Sequence, residues 1–310
     1  MASTKSVKQR IKSVKNTAQI TKAMEVVSAT KMRRSQEFAL AARPYAVASL
    51  ELLGNLLKRS HVVPELLKQR EVKRIAYVAV TSDKGLAGAF NGNVIKKVES
   101  VLQARTDTDV PITFITVGKK IKDYAERRNI SVEKKFWGFG DYTTPEETKE
   151  VADLLISGFL KGSWDEVIAI YTNFRSTLRQ ETVVKKILPA TEEGIQDAVK
   201  GILPERGRFA ESTAATDSAN RYAFEYKFEP SPKEILDSLI PQLIRIHIHH
   251  LILESNASEH SARMVAMKNA SDNARELMSH LTIAYNKARQ SGITQELTEI
   301  TAGTEALEGQ

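Results

Sequence analysis

Residues Pro232–Ser291 read PKEILDSLIPQLIRIHIHHLILESNASEHSARMVAMKNASDNARELMSHLTIAYNKARQS, a stretch without a single glycine. Glycine is the residue that most readily stops a helix, through its backbone entropy and its ease in left-handed caps. Of the 15 glycines, none precedes Gly54, none lies between Gly207 and Gly292, and twelve fall within residues 54–207. The spacing therefore predicts long helices at both ends of the chain and a glycine-punctuated domain between them. That layout suits a rod better than an enzyme.

Within the C-terminal stretch, Leu236, Leu239, Ile240, Leu243, Ile244, Leu251 and Ile252 form a wide apolar face. Ala262, Val265, Leu277, Leu281 and Ala288 continue it as a thinner one. Pro230 and Pro232 suit a helix start, and Pro241 predicts a kink. A helix over Lys233–Ser291 would be roughly 85–90 Å long, whereas a small compact domain is about 30 Å across, so it is expected to protrude. An exposed amphipathic helix needs a partner. The N-terminal segment supplies one: Val7, Ile11, Val14, Ala18 and Thr21 follow a 4-3-4-3 spacing, with Ile20, Met24 and Val27 as a neighbouring stripe. After Ala39, the positions Ala42, Ala46, Leu50, Leu53 and Leu57 keep that spacing, Pro44 interrupts it, and Gly54 with His61–Pro64 closes the segment. The simplest arrangement is an antiparallel coiled coil with many small residues on its seam.

The middle alternates between strand and helix patterns. Ile75–Val80, Ile112–Val117, Val167–Asn173 and Thr182–Leu188 read as strands; Val94–Ala104, Gly118–Arg128 and Pro145–Leu160 read as helices. Such alternation predicts an α/β domain, Rossmann-like, with a mainly parallel sheet. The expected organisation is residues 1–60 as one coiled-coil helix, 70–190 as the α/β domain, 190–225 as a loop or short helix, and 226–310 as the second coiled-coil helix.

Composition excludes several functions. The absence of cysteine rules out disulfides, thiolate zinc sites and thiol nucleophiles. No apolar run reaches the roughly 20 residues of a membrane span. Met1–Arg10 is basic without an apolar core, so it does not read as a secretory signal, and the helical pattern that begins at once argues against a transit peptide. Net charge is +7, yet residues 1–34 hold nine Lys/Arg against Glu25 alone, while Gly292–Gln310 holds four glutamates and no basic residue. A basic helix implies an anionic partner or a solvated face. The loop Ser82–Gly92 (SDKGLAGAFNG) invites a nucleotide-binding reading, but its Gly85-x-x-Gly88 spacing matches neither phosphate-binding fingerprint, and an ordinary tight turn explains it better. His247, His249, His250 and Glu254 invite a metal reading, but no second ligand set accompanies them. No GxSxG elbow is present, so catalysis by this chain is not expected.

Three blocks carry a resemblance: Ile11–Gln36 (IKSVKNTAQITKAMEVVSATKMRRSQ), Val80–Gly92 (VTSDKGLAGAFNG) and Ser258–Leu307, above all YNKARQ at 285–290 running into ITQELTEI at 293–300. Together they resemble the gamma subunit of F-type ATP synthase along nearly the whole chain. The resemblance implies a central rotor shaft without catalytic, cofactor or metal sites. Its partners would be the alpha and beta subunits around it, epsilon, and the c-ring, with the membrane reached only through the complex and no nucleic acid bound. The setting implied is the cytoplasmic face of a bacterial plasma membrane, or the matrix side of an organelle inner membrane. Matching positions imply that Arg289, Gln290, Thr294 and Glu296 contact alpha and beta. Met24, beside Lys22, would meet an acidic helix-turn-helix of beta, and Glu229 epsilon or the c-ring. Thr304 stands where alanine is usual and Ala87 where cysteine is common; the cysteine-bearing regulatory insert of chloroplast relatives is missing. The rival is a basic coiled coil gripping nucleic acid, which would bind with a steep salt dependence and display aromatic platforms. The N-terminal helix has no aromatic residue before Phe38.

Overall fold

A computed structural model describes residues 4–41, 44–45, 48–49, 52–53, 64–104, 110–139, 143–191, 194, 229 and 231–308. They form two compact units, one of residues 1–27 with 264–310, the other of residues 28–263. The first helix, α1 (Thr4–Ala41), and the last, α5 (Pro232–Glu308), each contribute residues to both.

The unit of residues 28–263 is built on a five-stranded sheet ordered β3-β2-β1-β4-β5. The strands are β1 (Ile75–Val80), β2 (Ile112–Val117), β3 (Val132–Phe136), β4 (Glu166–Phe174) and β5 (Gln180–Leu188). β1 lies at the centre, parallel to β2 and β4; β3 is parallel to β2, and β5 closes antiparallel on β4. Every residue of β1 is buried, which is why its sequence is a continuous apolar run and not an alternating one. Ile75, Tyr77, Ala79, Phe114, Ile168 and Ile170 face α2 (Phe90–Ala104) and α3 (Lys119–Arg127) through Val94, Val98, Ile121 and Ala125. Ala76, Val78, Val80, Val117, Val167 and Tyr171 share the opposite core with α4 (Pro145–Leu160) and with Leu236–Ile252 of α5. α4 begins on a capping box between Thr144 and Glu147, with Pro145 in the first turn.

Three differences from the sequence reading have plain causes. β3 was not expected, because Val132-Glu-Lys-Lys-Phe136 puts charge on an edge strand, where lysine discourages further pairing. α2 begins at Phe90 instead of Val94, since Phe90 N–H already donates to Ala87 O at 3.1 Å. α5 continues through Pro241 and past Gly292 to Glu308, so neither residue ends it. Pro44 and Tyr45 are helical, whereas Gly54, residues 61–63 and nearly all of 190–225 lie outside the described residues.

Gly158 on α4 faces Trp164, whose indole N–H donates to Leu155 O at 3.0 Å. A methyl at Gly158 would lie 2.0 Å from Trp164 Cζ2, a contact the buried ring cannot yield to without moving. Gly158→Ala is therefore expected to destabilise the chain by about 3 kcal/mol. Urea denaturation followed by tryptophan fluorescence measures the change.

Candidate functional site

A doubly wound sheet usually binds ligands beyond the carboxyl ends of its strands, where helix N-termini offer free N–H groups. At the start of α3 those groups are engaged by the protein. Gly118, at φ +100, turns β2 into α3, and the loop after β1 folds over the new helix start. Lys119 N–H donates to Asp83 Oδ1 (2.8 Å), Lys120 N–H to Ser82 O (3.1 Å) and Ile121 N–H to Thr81 Oγ1 (3.0 Å). The other Asp83 oxygen accepts from Gly138 N–H at 2.8 Å. Ser82 Oγ donates to Lys84 O at 2.6 Å and its N–H to Asn91 Oδ1 at 3.1 Å, which draws the glycine-rich turn inward. From α5, Arg263 donates to Gly85 O at 3.1 Å and pairs with Glu259 at 2.6 Å. A cavity of about 260 Å³ remains beside this loop, but the anion position at α3 is filled by the Asp83 carboxylate. The loop acts as a cap on α3.

The histidines do not converge. His249 turns toward α4, its Nδ1 3.0 Å from Thr148 Oγ1. His250 Nδ1 stands 3.9 Å from Glu254 Oε1. No group of three potential ligands suited to a metal occurs among the described residues. Burial pushes the pKa values of His247 and His250 down to about 3 and that of Glu254 up to about 8.

In the unit of residues 1–27 and 264–310, α1 shields Val7, Ile11, Val14, Ala18 and Thr21, the stripe expected from the sequence. α5 answers with Met264, Met267, Ser271, Ala274, Met278, Leu281, Tyr285 and Ala288, spaced alternately by three and four. Ser271 Oγ donates to Ala18 O at 3.4 Å, which sets the register. An antiparallel course brings both stripes together along their lengths; a parallel one would oppose Val7 to residues of the other unit. The neighbouring stripe does not join the seam throughout: Ile20 is 60% and Val27 51% exposed, because they lie more than a third of a turn from it. Leu277 is also exposed.

The expected contact residues fall into separate groups. Lys22 is exposed and pairs with Glu25 at 2.9 Å, with Met24 half-buried beside it. From the Ala18–Ser271 register, Thr4 lies level with about Tyr285, so α5 runs on past the described start of α1 for roughly 30 Å. Arg289, Gln290, Thr294 and Glu296 stand exposed on that extension, roughly 35–45 Å along the axis from Lys22. Ile293, Leu297 and Ile300 are exposed with them. Thr294 Oγ1 donates back to Gln290 O at 3.0 Å. Glu229 is exposed in the other unit. The exposed apolar face was not separated from the seam in the sequence; the change from protected to exposed positions after Ala288 shows it.

Asp83→Ala removes two charge-assisted bonds and leaves Lys119 and Gly138 N–H without their acceptor. A loss of about 2–3 kcal/mol in thermal unfolding of the full chain is expected.

Residues 3–307 match the ATP synthase family. The chain is 39% identical over 314 residues to the ATP synthase gamma chain of Crocosphaera subtropica, covering 99% of this chain and all of that one. It is 38% identical to that of Chlorobium phaeobacteroides, with both chains covered completely. Its fold is similar to a chain in the rotor of Euglena gracilis mitochondrial ATP synthase (TM-score 0.58, 17% identity, 94% of this chain and 98% of that one). A chain in the Tetrahymena thermophila central stalk and c-ring gives a TM-score of 0.57 at 21% identity, with 81% of this chain and 99% of that one covered. With its whole length shared with bacterial relatives at this identity, the chain belongs to the ATP synthase gamma chain family.

Proposed function

We propose that this chain is the central rotor shaft of an F-type ATP synthase. It carries rotation of the c-ring to the beta subunits and makes their catalytic sites change nucleotide affinity in turn. The observation that supports this most is the antiparallel helix pair whose longer member continues as an exposed helix bearing Arg289, Gln290, Thr294 and Glu296 beside Ile293, Leu297 and Ile300. A surface mixing apolar and polar side chains in this way suits contact with a surrounding protein sleeve.

In this reading the chain is a non-catalytic subunit. Residues 1–60 and 226–310 serve as shaft and 70–190 as foot; most of 190–225 lies outside the described residues. Arg289, Gln290, Thr294 and Glu296 meet loops of alpha and beta. Lys22 and Met24 meet the acidic helix-turn-helix of beta, to which the basic start of α1 is electrostatically complementary. Glu229 meets epsilon or the c-ring. No described helix is long and apolar enough to cross a membrane, and the chain would reach one through the complex, on the cytoplasmic face of a bacterial plasma membrane.

Arg289→Ala and Gln290→Ala, placed in the reconstituted complex, are each expected to lower ATP turnover or proton pumping by roughly 3- to 10-fold, the loss of about one hydrogen bond to a charged or polar partner. The thermal stability of the isolated chain should stay unchanged. Normal turnover and pumping in both variants would remove these contacts from the mechanism. Purification of the complex with alpha and beta in threefold excess over this chain tests the assembly itself.

A further inference from the structure

The rotor reading leaves unused a polar cluster inside the unit of residues 28–263. Its centre is Glu254 on α5, with His250 one turn back on the same face and His247 beyond it. Tyr171 comes from β4, Arg175 from the turn that follows, and Lys185 from β5. Among the described residues these are the titratable and charged groups that bear on the carboxyl from its own helix and from the two strands against which it lies. Tyr171, His247, His250 and Glu254 are buried, and the Tyr171 hydroxyl is within hydrogen-bonding reach of the Glu254 carboxyl. His250 Nδ1, at 3.9 Å, is too far for a direct hydrogen bond.

We propose that Glu254 is a proton-operated latch between α5 and the β4–β5 pair: its protonated carboxyl seals the junction, and its carboxylate loosens it. The cluster's composition explains the polarity of the switch. A neutral acid has one O–H to donate and accepts from Tyr171, so it can be buried at little cost. A carboxylate in the same place needs a cation. The imidazoles supply none: burial above all, with Lys185 beside His247 and with His249 and Lys185 beside His250, keeps both neutral down to about pH 3. Lys185 and Arg175 favour the carboxylate, but both are only half-buried, and burial of Glu254 outweighs them, holding its pKa near 8.

The two kinds of group act on opposite sides of neutrality. Glu254 has its pKa raised from 4.5 to about 8, so its contribution is full below 4.5 and is lost as pH rises toward 8. His247 and His250 have theirs lowered from 6.5 to about 3, so theirs is full above 6.5 and is lost as pH falls toward 3. Of these three groups, Glu254 is the one that titrates between pH 6.5 and about 8, so it lowers stability as pH rises through that window. The latch is a property of the chain whether or not it turns inside a complex.

The test uses the full chain and Glu254→Gln, which keeps shape and hydrogen bonding without a titrating proton. Difference infrared spectroscopy should show a protonated carboxyl band that vanishes with a midpoint near pH 8 in the parent and is missing from the variant. Across residues 247–258 and β5, the ratio of amide exchange in the parent to that in Glu254→Gln should rise with pH through this window, by about tenfold or more between pH 6.5 and pH 9, and level off above it. A band titrating near 4.5, or the same alkaline acceleration in both proteins, would overturn the latch. Should Glu254→Gln fail to fold, Glu254→Asp serves instead: a shortened carboxyl should move the midpoint, and an unmoved midpoint would assign the band elsewhere and end the proposal.

Discussion

Burial of the first part of α5 against the sheet is the constraint on which the rest of this structure depends. Leu236, Leu243, Ile244, Ile248, Leu251 and Ile252 are almost wholly removed from water, joined in one core with β1, β2, β4, β5 and α4. At about 1.5–3 kcal/mol for each large apolar side chain, this face outweighs any polar contact α5 makes there. It gives the helix a rigid start. The later turns of the same helix carry few large side chains on a seam of Ala, Ser, Met and Leu, so they contribute far less from their own packing.

That asymmetry decides what each part of α5 is able to do. The anchored part tolerates a buried glutamate and two neutral histidines because strong apolar packing surrounds them. The later part trades packing strength for a slim pair of helices, whose exposed side presents Ile293, Leu297 and Ile300 among polar groups. In a lone chain such a surface is a liability. In the proposed rotor, held within other subunits, it would serve as the working surface.

Much of this was legible in the sequence, and for identifiable reasons. IAYVAV at 75–80 and ITFITV at 112–117 are short apolar runs of the kind only doubly covered strands carry, and both strands begin and end where the sequence implied. The heptad-like spacing of Val7 to Thr21 located the seam. Apolarity alone could not distinguish that seam from the outward face, so Ile20, Val27 and Leu277 were placed on the wrong side. β3 escaped notice because an edge strand needs only one or two buried residues, here chiefly Phe136. The engagement of Asp83 with Lys119 and Gly138 was also hidden, since a bond spanning 36 or 55 residues leaves no local pattern.

That carboxylate has a consequence for how the chain behaves among abundant phosphates. A protein whose sheet ends in an open helix start is exposed to every adenylate or phosphate ester in solution, and its conformation drifts with their concentration. Here a covalently attached acid sits in that spot permanently, at an effective concentration no dissolved metabolite matches. The start of α3 is thereby closed to such compounds.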